Sequence, residues 1–547
     1  MRAPRPAPRR RPLATSLVVA ALTASACSSG GGGSPAQPKA ATETTIPSFT
    51  YAITQLPTSL NGMTTKTDTA QISSLVTETL EHATARDGVP QLSPNLAESV
   101  TQPDNKTIVY RLRDAKFSDG TALTPEDVIW SIEATAAPTA ETAGNMAGFA
   151  SASATGPHEV TVKWKYGDPN MRLGVSGAVQ VQKAAFAKQH SSDLGTPSAL
   201  PIGTGPYKYQ AQTSQAIDLV ANPQYWGARP KAGSLKFTVI ADDSSARLAL
   251  QSGSIQGAEV KDVKTSNQWQ AISGTSLHTS PGLSSNVLSL DTSKAPFDDI
   301  HVRNAVAYSV DTGNLGKAAY GDYADTLTTV VPVESIASVA PSLDEAKKFL
   351  DQLPKRTFDL GKAKQELAAS AHAGGFTAEV PYRTTDPADK LLVLSLQENM
   401  KSLGVTIVPK PVQPAEWAQE VFSHTATGIQ VLTGLTIIIP DPSGMLYYFV
   451  GKENMVPNSL NLANFTTPAI EQALPMISPA GSGGYTKDQR WNATKTIITE
   501  LAQQAPYVPL YSSKNVYALK DGYTFTEPPG TLDLLTGAWI DYLRSTK

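Results

Sequence analysis

Apolar and polar residues alternate with period two at several places along this chain, and such runs read as strands. They include the run from Thr50 to Thr54, the residues around Tyr110 and Leu112, Val160–Trp164 and Ser285–Leu290. Other stretches repeat apolar residues three and four apart, the helical spacing. Val128, Ile129 and Ile132 make one such face; Leu75, Val76, Thr79 and Leu80 suggest another across 72–81. Val302, Ala305, Val306 and Ser309 form a third, and Leu392, Leu396, Met400 and Leu403 a longer one that stops at Gly404. Trp491, Thr494, Ile498 and Leu501 complete the set before Pro506.

The richest local signal lies between Pro94 and Glu133. The strand around Tyr110 runs into Asp119-Gly120, a tight-turn pair in which glycine can take positive φ. Thr124 can then cap a helix whose first position is Pro125, where the missing N–H costs nothing. Glu126 and Asp127 suit the positive end of the helix dipole, and Asp127 stands at capping-box distance from Thr124.

The 547 residues are enough for more than one domain. Charged residues are 17% and the net charge is −3, with no basic patch interleaved with aromatics, so nucleic acid is not an expected partner. The arginines that do cluster (Arg2, Arg5, Arg9, Arg10 and Arg11) precede a short apolar run, Leu13–Thr23, too short for a membrane span. This reads as a signal peptide over 1–26. Ala24-Ser25-Ala26-Cys27 resembles a bacterial lipobox, which makes Cys27 the lipidated first residue; ordinary cleavage after Ala26 is the alternative. Cys27 is the only cysteine, so the body holds neither a disulfide nor a thiolate site. Residues 28–48, rich in Gly, Ser, Pro and Thr, read as a flexible tether.

Two runs carry a family resemblance. Pro94, Leu96–Ser99, Leu112, Arg113, Lys116, Phe117, Asp119, Gly120, Leu123, Thr124, Glu126–Val128 and Ser131 match an ordered signature of the family 5 solute-binding proteins of ABC transporters. Pro296-Phe297, Asp299, Val302-Arg303 and Ala305 match a second. Gly203-Thr204-Gly205-Pro206-Tyr207, Asn222 with Tyr225-Trp226, and Pro509-Leu510-Tyr511 resemble shorter family turns. The resemblance implies an α/β fold of the class II, cluster C periplasmic-binding-protein type. It has two large lobes joined by a hinge, here 48–62 with 203–283 and 512–547, and 284–511. An extra lobe would take 63–202. It also implies a peptide or other small ligand held between lobes, ABC permease and ATPase subunits as partners, and a monomer lipid-anchored to the outer face of the cell membrane.

By the same resemblance the pocket strand is Gln430–Asp441, with Asp441-Pro442 as the family's acid–proline pair. Peptide binders of the family add the ligand's backbone alongside such a strand. Gly434 matches a family glycine. Many relatives hold the ligand's amino group with an aspartate three residues before the pair, where this chain has Ile438; an arginine of some oligopeptide binders is replaced by Leu432. A pocket lined by Gly434, Leu435, Thr436, Ile437, Ile438 and Asp441, with Trp417 and the Tyr447-Tyr448 pair nearby, would be more apolar than a usual peptide site. It would suit hydrophobic, capped or cyclic peptides, or lipid- or siderophore-like molecules. Burial of 437–439 as strand core is the competing reading. Arg303 is expected in an ion pair with Asp298 or Asp299, and Arg383 in a solvated loop. The seven histidines lack metal-binding spacing, and neither a GxSxG elbow nor a GxxxxGK[ST] loop occurs, so neither an enzyme nor a cofactor is expected. A sensor or cell-wall assembly lipoprotein on the same fold is the alternative function, and nickel binding a lesser one.

Overall fold

The structure is a computed structural model that describes residues 45–62, 67–86, 89–424, 428–437 and 439–547. The signal segment, Cys27, the tether as far as residue 44, and Ile438 lie outside the described residues.

Strand β1, Phe49–Ile53, sits inside a seven-stranded sheet. It pairs in parallel with Ser234–Val239 on one side and Gly257–Glu259 on the other. The remaining pairings are antiparallel and bring in Asn515–Lys520 near the C-terminus. Aromatic residues fill the core below: Phe49, Tyr51, Phe237, Tyr517 and Trp539 are all buried. The ordered body starts before the tether boundary read from composition. Ile46 is 2% exposed, and its N–H donates to Lys231 O at 2.8 Å.

Strand β2, Thr107–Leu112, belongs to a four-stranded antiparallel sheet with Ala97–Asp104, Phe149–Gly156 and Glu159–Trp164. Helix α1, Pro125–Ala136, drops Val128 and Ile132 into the same core as Tyr110 and Trp164. Its start follows the sequence chemistry. Gly120 has φ +88°, and Thr124 donates its N–H to Asp127 Oδ2 at 3.1 Å.

A third sheet is built on β3, Ser284–Leu290. Beside it run β4, Thr377–Arg383, and helix α2, Pro387–Lys401. Strand β5, Ile429–Thr436, pairs antiparallel with β3, whose other edge takes Tyr507–Pro509. Helix α3, Lys487–Gln504, closes the unit. Both faces of β3 and β5 are covered. Leu288, Leu290, Ile429 and Val431 pack with Leu392, Leu396 and Met400 of α2. Val287 and Leu432 pack with Trp491, Ile497 and Leu501 of α3.

Two elements differ from the sequence reading. The helix expected over 72–81 covers only Thr67–Ser73. Beyond it the Leu75 and Val76 carbonyls accept from Tyr207 and Gly205 N–H at 3.1 and 2.9 Å, so the glycine turn takes the bonds a helix would need. The strand expected to run from Gln430 to Asp441 ends at Thr436.

Candidate functional site

Strand β5 is an edge strand of its sheet, with β3 on one side only. The β3–β5 ladder slips between Ser285 and Val287, leaving one extra residue on β5. Gly434 absorbs the slip at φ +77°, a conformation that favours glycine. Its N–H donates to Asn286 Oδ1 at 2.7 Å, and Asn286 Nδ2 donates to Tyr511 O at 2.7 Å. Gly434 and Thr436 are exposed and Leu435 is half-buried. Ile437 then turns fully into the core, and its N–H donates to Leu283 O at 2.7 Å. Ile437 is thus a core residue, not a pocket wall, and Leu432 is equally buried.

Arg383, at the end of β4, locks β5 to its neighbours. The guanidinium grips buried Asp389 twice, Nε to Oδ2 at 2.7 Å and Nη2 to Oδ1 at 3.1 Å, and reaches Asp386 Oδ2 at 2.8 Å. It also donates to the Thr433 hydroxyl and lies 4.9 Å over the Trp417 ring. The expectation of a solvated loop arginine does not hold, because the paired carboxylates consume its donors. Trp417 itself is 6% exposed, packed edge-on against Phe422 within the core.

Asp441 is saturated from within. Its Oδ1 accepts from Arg490 Nη2 at 2.5 Å and from Ser443 N and Oγ at 3.0 and 2.7 Å. Oδ2 accepts from Ser338 Oγ at 2.9 Å. Burial pushes this carboxyl up, but the Arg490 charge and the Ser443 bonds outweigh it and hold the group below the usual carboxylate range.

A cavity of about 280 Å³ opens beside these residues, near the lower end of small-molecule sites. One wall comes from Thr436, Ile439, Met445 and Tyr448; the facing wall comes from Asn145, Tyr166, Asp168 and Asn170. Two contacts hold the walls together. Asn170 Nδ2 donates to Ser443 Oγ at 2.8 Å, and Gly483 N–H donates to Gly167 O at 3.2 Å. Asp168 accepts the Asn170 N–H at 2.8 Å. Its carboxyl is pushed up to about 6 by burial and, secondarily, by the charge of Asp441, against the pull of Arg490. Burial and the Asp168 charge in turn raise the phenols of Tyr166 and Tyr448.

The family described as bacterial extracellular solute-binding proteins, family 5 (middle region), matches residues 91–456. The chain belongs to that family. The heme-binding protein A of Haemophilus influenzae is 25% identical over 357 residues, 63% of this chain and 62% of the relative. The glutathione-binding protein GsiB of Escherichia coli K12 is 24% identical over 463 residues, 81% and 83% of the two chains. Among solved structures, the ABC transporter-associated periplasmic binding protein DppA of Helicobacter pylori, in complex with the peptide STSA, superposes with a TM-score of 0.71 at 17% identity, covering 92% and 99%. The fold is therefore the family's α/β, periplasmic-binding-protein-like architecture.

Against this family background the sequence-predicted residues separate. Thr436 lines the cavity, Gly434 and Leu435 stand beside it on β5, and Asp441 lies behind its wall in the pair with Arg490. Of the two tyrosines, Tyr448 faces the cavity, while Tyr447 donates its hydroxyl to Glu453 at 2.5 Å. Arg303 touches neither a ligand wall nor a carboxylate. It donates to the backbone carbonyls of Phe297, Asp298 and Gln504. Among the described residues no group of three His, Cys, Asp or Glu could hold a metal ion. Tyr166, Asp168 and Asn170 escaped sequence reasoning. They sit in a turn, Tyr166–Asn170, with no periodicity and no motif, and only folding brings it against β5.

Proposed function

We propose that this chain is the ligand-capturing subunit of an ABC importer, of peptide class, delivering its ligand to a membrane permease driven by separate ATPase subunits. The observation that carries the reading is the exposed edge of β5 at Gly434–Thr436, which opens on the cavity walled by residues 144–170. An extended ligand can add its backbone along such an edge while one substituent enters the cavity. In this reading the large lobes are 48–62 with 203–283 and 512–547, and 284–511, the extra lobe is 63–202, and ligand selects the closed arrangement of a hinged equilibrium. Gly434, Leu435 and Thr436 of β5 form the ligand-side strand edge. Cys27 carries the lipid anchor that holds the protein at the outer face of the membrane. The peptide-bound relative supports the class.

Native mass spectrometry of the mature protein, purified from its own organism, tests this reading. A peptide released intact and in stoichiometric amount is the expected result. A ligand chemically altered during incubation, or a released glycolipid, would overturn it.

A further inference from the structure

The cavity carries a charge asymmetry that the rest of the fold does not resolve. Arg490 and Asp441 cancel one another behind its wall. Asp168 lines the cavity, and among the described residues no cation forms an ion pair with it. Among the described residues its one hydrogen-bond donor is the neutral backbone N–H of Asn170. Two phenol rings, Tyr166 from the same turn and Tyr448 from the facing wall, line the same space, with Met445 and Ile439 as apolar floor.

We propose that Asp168 is the carboxylate that receives a primary ammonium group of the ligand, with Tyr166 and Tyr448 flanking that cation. The proposal rests on the solute-capture reading above and specifies the ligand class: amines, and N-terminally free rather than capped peptides. Asp168 is half-buried, so its charge is partly stripped of water and gains when a cation meets it, and aromatic faces attract cations. A divalent metal would need further acidic or imidazole ligands, and among the described residues no group of three His, Cys, Asp or Glu is placed to hold one. An anionic ligand group would be repelled.

The charged and titratable groups around Asp168 are Tyr166 on its own turn, Tyr448 across the cavity, and the Asp441–Arg490 pair behind. The unliganded carboxyl is half protonated near pH 6. An arriving ammonium group favours the ionised form, so binding at that pH releases a proton and weakens as pH falls below it.

The test uses the full mature protein and three probe sets: Ala-X-Ala tripeptides with free N-termini, the same library N-acetylated, and the non-peptide amines phenethylamine and cadaverine. Binding to wild type, Asp168→Asn and Asp168→Glu is measured by calorimetry at pH 6 in two buffers of different ionisation enthalpy. Thermal melts verify that each variant is folded. We expect free-amine probes to lose at least about 30-fold in affinity on Asp168→Asn, the loss typical of removing one partner of a buried charge pair. Asp168→Glu should recover part of it, acetylated peptides should be indifferent to both changes, and the proton release should vanish in Asp168→Asn. Non-peptide amines binding in this manner while tripeptides fail would uphold the role of Asp168 and sink the peptide class. Free tripeptides binding wild type and Asp168→Asn equally would overturn the role of Asp168 and leave the capture reading standing. Failure of every amine probe to bind wild type would also overturn it.

Discussion

Asp441 and Arg490 meet at 2.5 Å with side chains 2% and 8% exposed, joining the segment after β5 to helix α3. A pair so far from water stabilises only while both members are present. Replacing Arg490 by Met should leave a buried, uncompensated carboxylate and cost about 3–5 kcal/mol, read as a lower urea midpoint at pH 7. The pair is also pH-sensitive in one direction. Folding holds the Asp441 carboxyl below its usual value of 3.8, so its contribution is complete above that value and is lost as pH falls through the folded-state one. Asp441→Asn should flatten that acid limb; an unchanged limb would show that other carboxylates dominate it.

Glu78 behaves in the opposite sense. It lies under the glycine turn, accepting from Thr204 Oγ1 at 2.7 Å and Trp226 Nε1 at 3.0 Å, while its Oε1 is buried without a hydrogen-bond partner. Burial pushes its carboxyl from 4.5 up to about 7, against those two hydrogen bonds and the charge of Arg113. The unfolded chain therefore gives up this proton before the folded one does. Its own contribution to stability is full below pH 4.5 and declines as pH rises to about 7, by an amount on the order of 3 kcal/mol. Glu78→Gln keeps an acceptor for Thr204 and Trp226 and should remove this decline. Denaturant titrations at pH 5 and pH 8 on both proteins give the comparison.

Much of the fold is legible in the sequence where local chemistry and tertiary structure agree. Thr124 with Pro125 marks a true helix start; Leu392, Leu396 and Met400 mark a true buried face. Local pattern failed where distant groups decide. The apolar residues from Leu75 to Leu80 have helical spacing, yet their segment is shaped by N–H groups of Gly205 and Tyr207. The site was less legible still. Asp441 reads as a pocket acid because Asp441-Pro442 resembles the family's acid–proline pair, but its partner Arg490 is 49 residues away. Arg383 reads as a loop residue because nothing local announces the bidentate grip on Asp389.

Trp417 belongs to the core and not to the cavity lining. The ring is held between the Arg383 guanidinium and the edge of Phe422, whose centroid is 5.6 Å away. Trp417→Ala removes a large core side chain and should cost about 3–5 kcal/mol in urea denaturation. Binding of the free-amine tripeptides should change by no more than a few-fold in protein that remains folded. A large affinity loss with little loss of stability would instead make Trp417 a ligand contact.

Gly483 sets how closely the two cavity walls approach. A Cβ at this position would stand 2.5 Å from the Gly167 carbonyl carbon and 2.8 Å from the Asp168 nitrogen, both backbone atoms that cannot swing aside. Gly483→Ala must therefore push the Tyr166–Asn170 turn outward and lengthen the 3.2 Å bond from Gly483 N–H to Gly167 O. Overpacking of this kind costs about 1–3 kcal/mol. Amide exchange should quicken at residue 483, whose N–H donates to Gly167 O, and at Asn170, with β1 unaffected as an internal reference. Because the displaced turn carries Asp168, free-amine tripeptides should also bind more weakly, whereas the same substitution at Gly484, where a Cβ meets nothing within 4 Å, should leave both exchange and affinity unchanged. Equal behaviour of the two alanine variants would mean that the walls are not held at their spacing by this backbone contact.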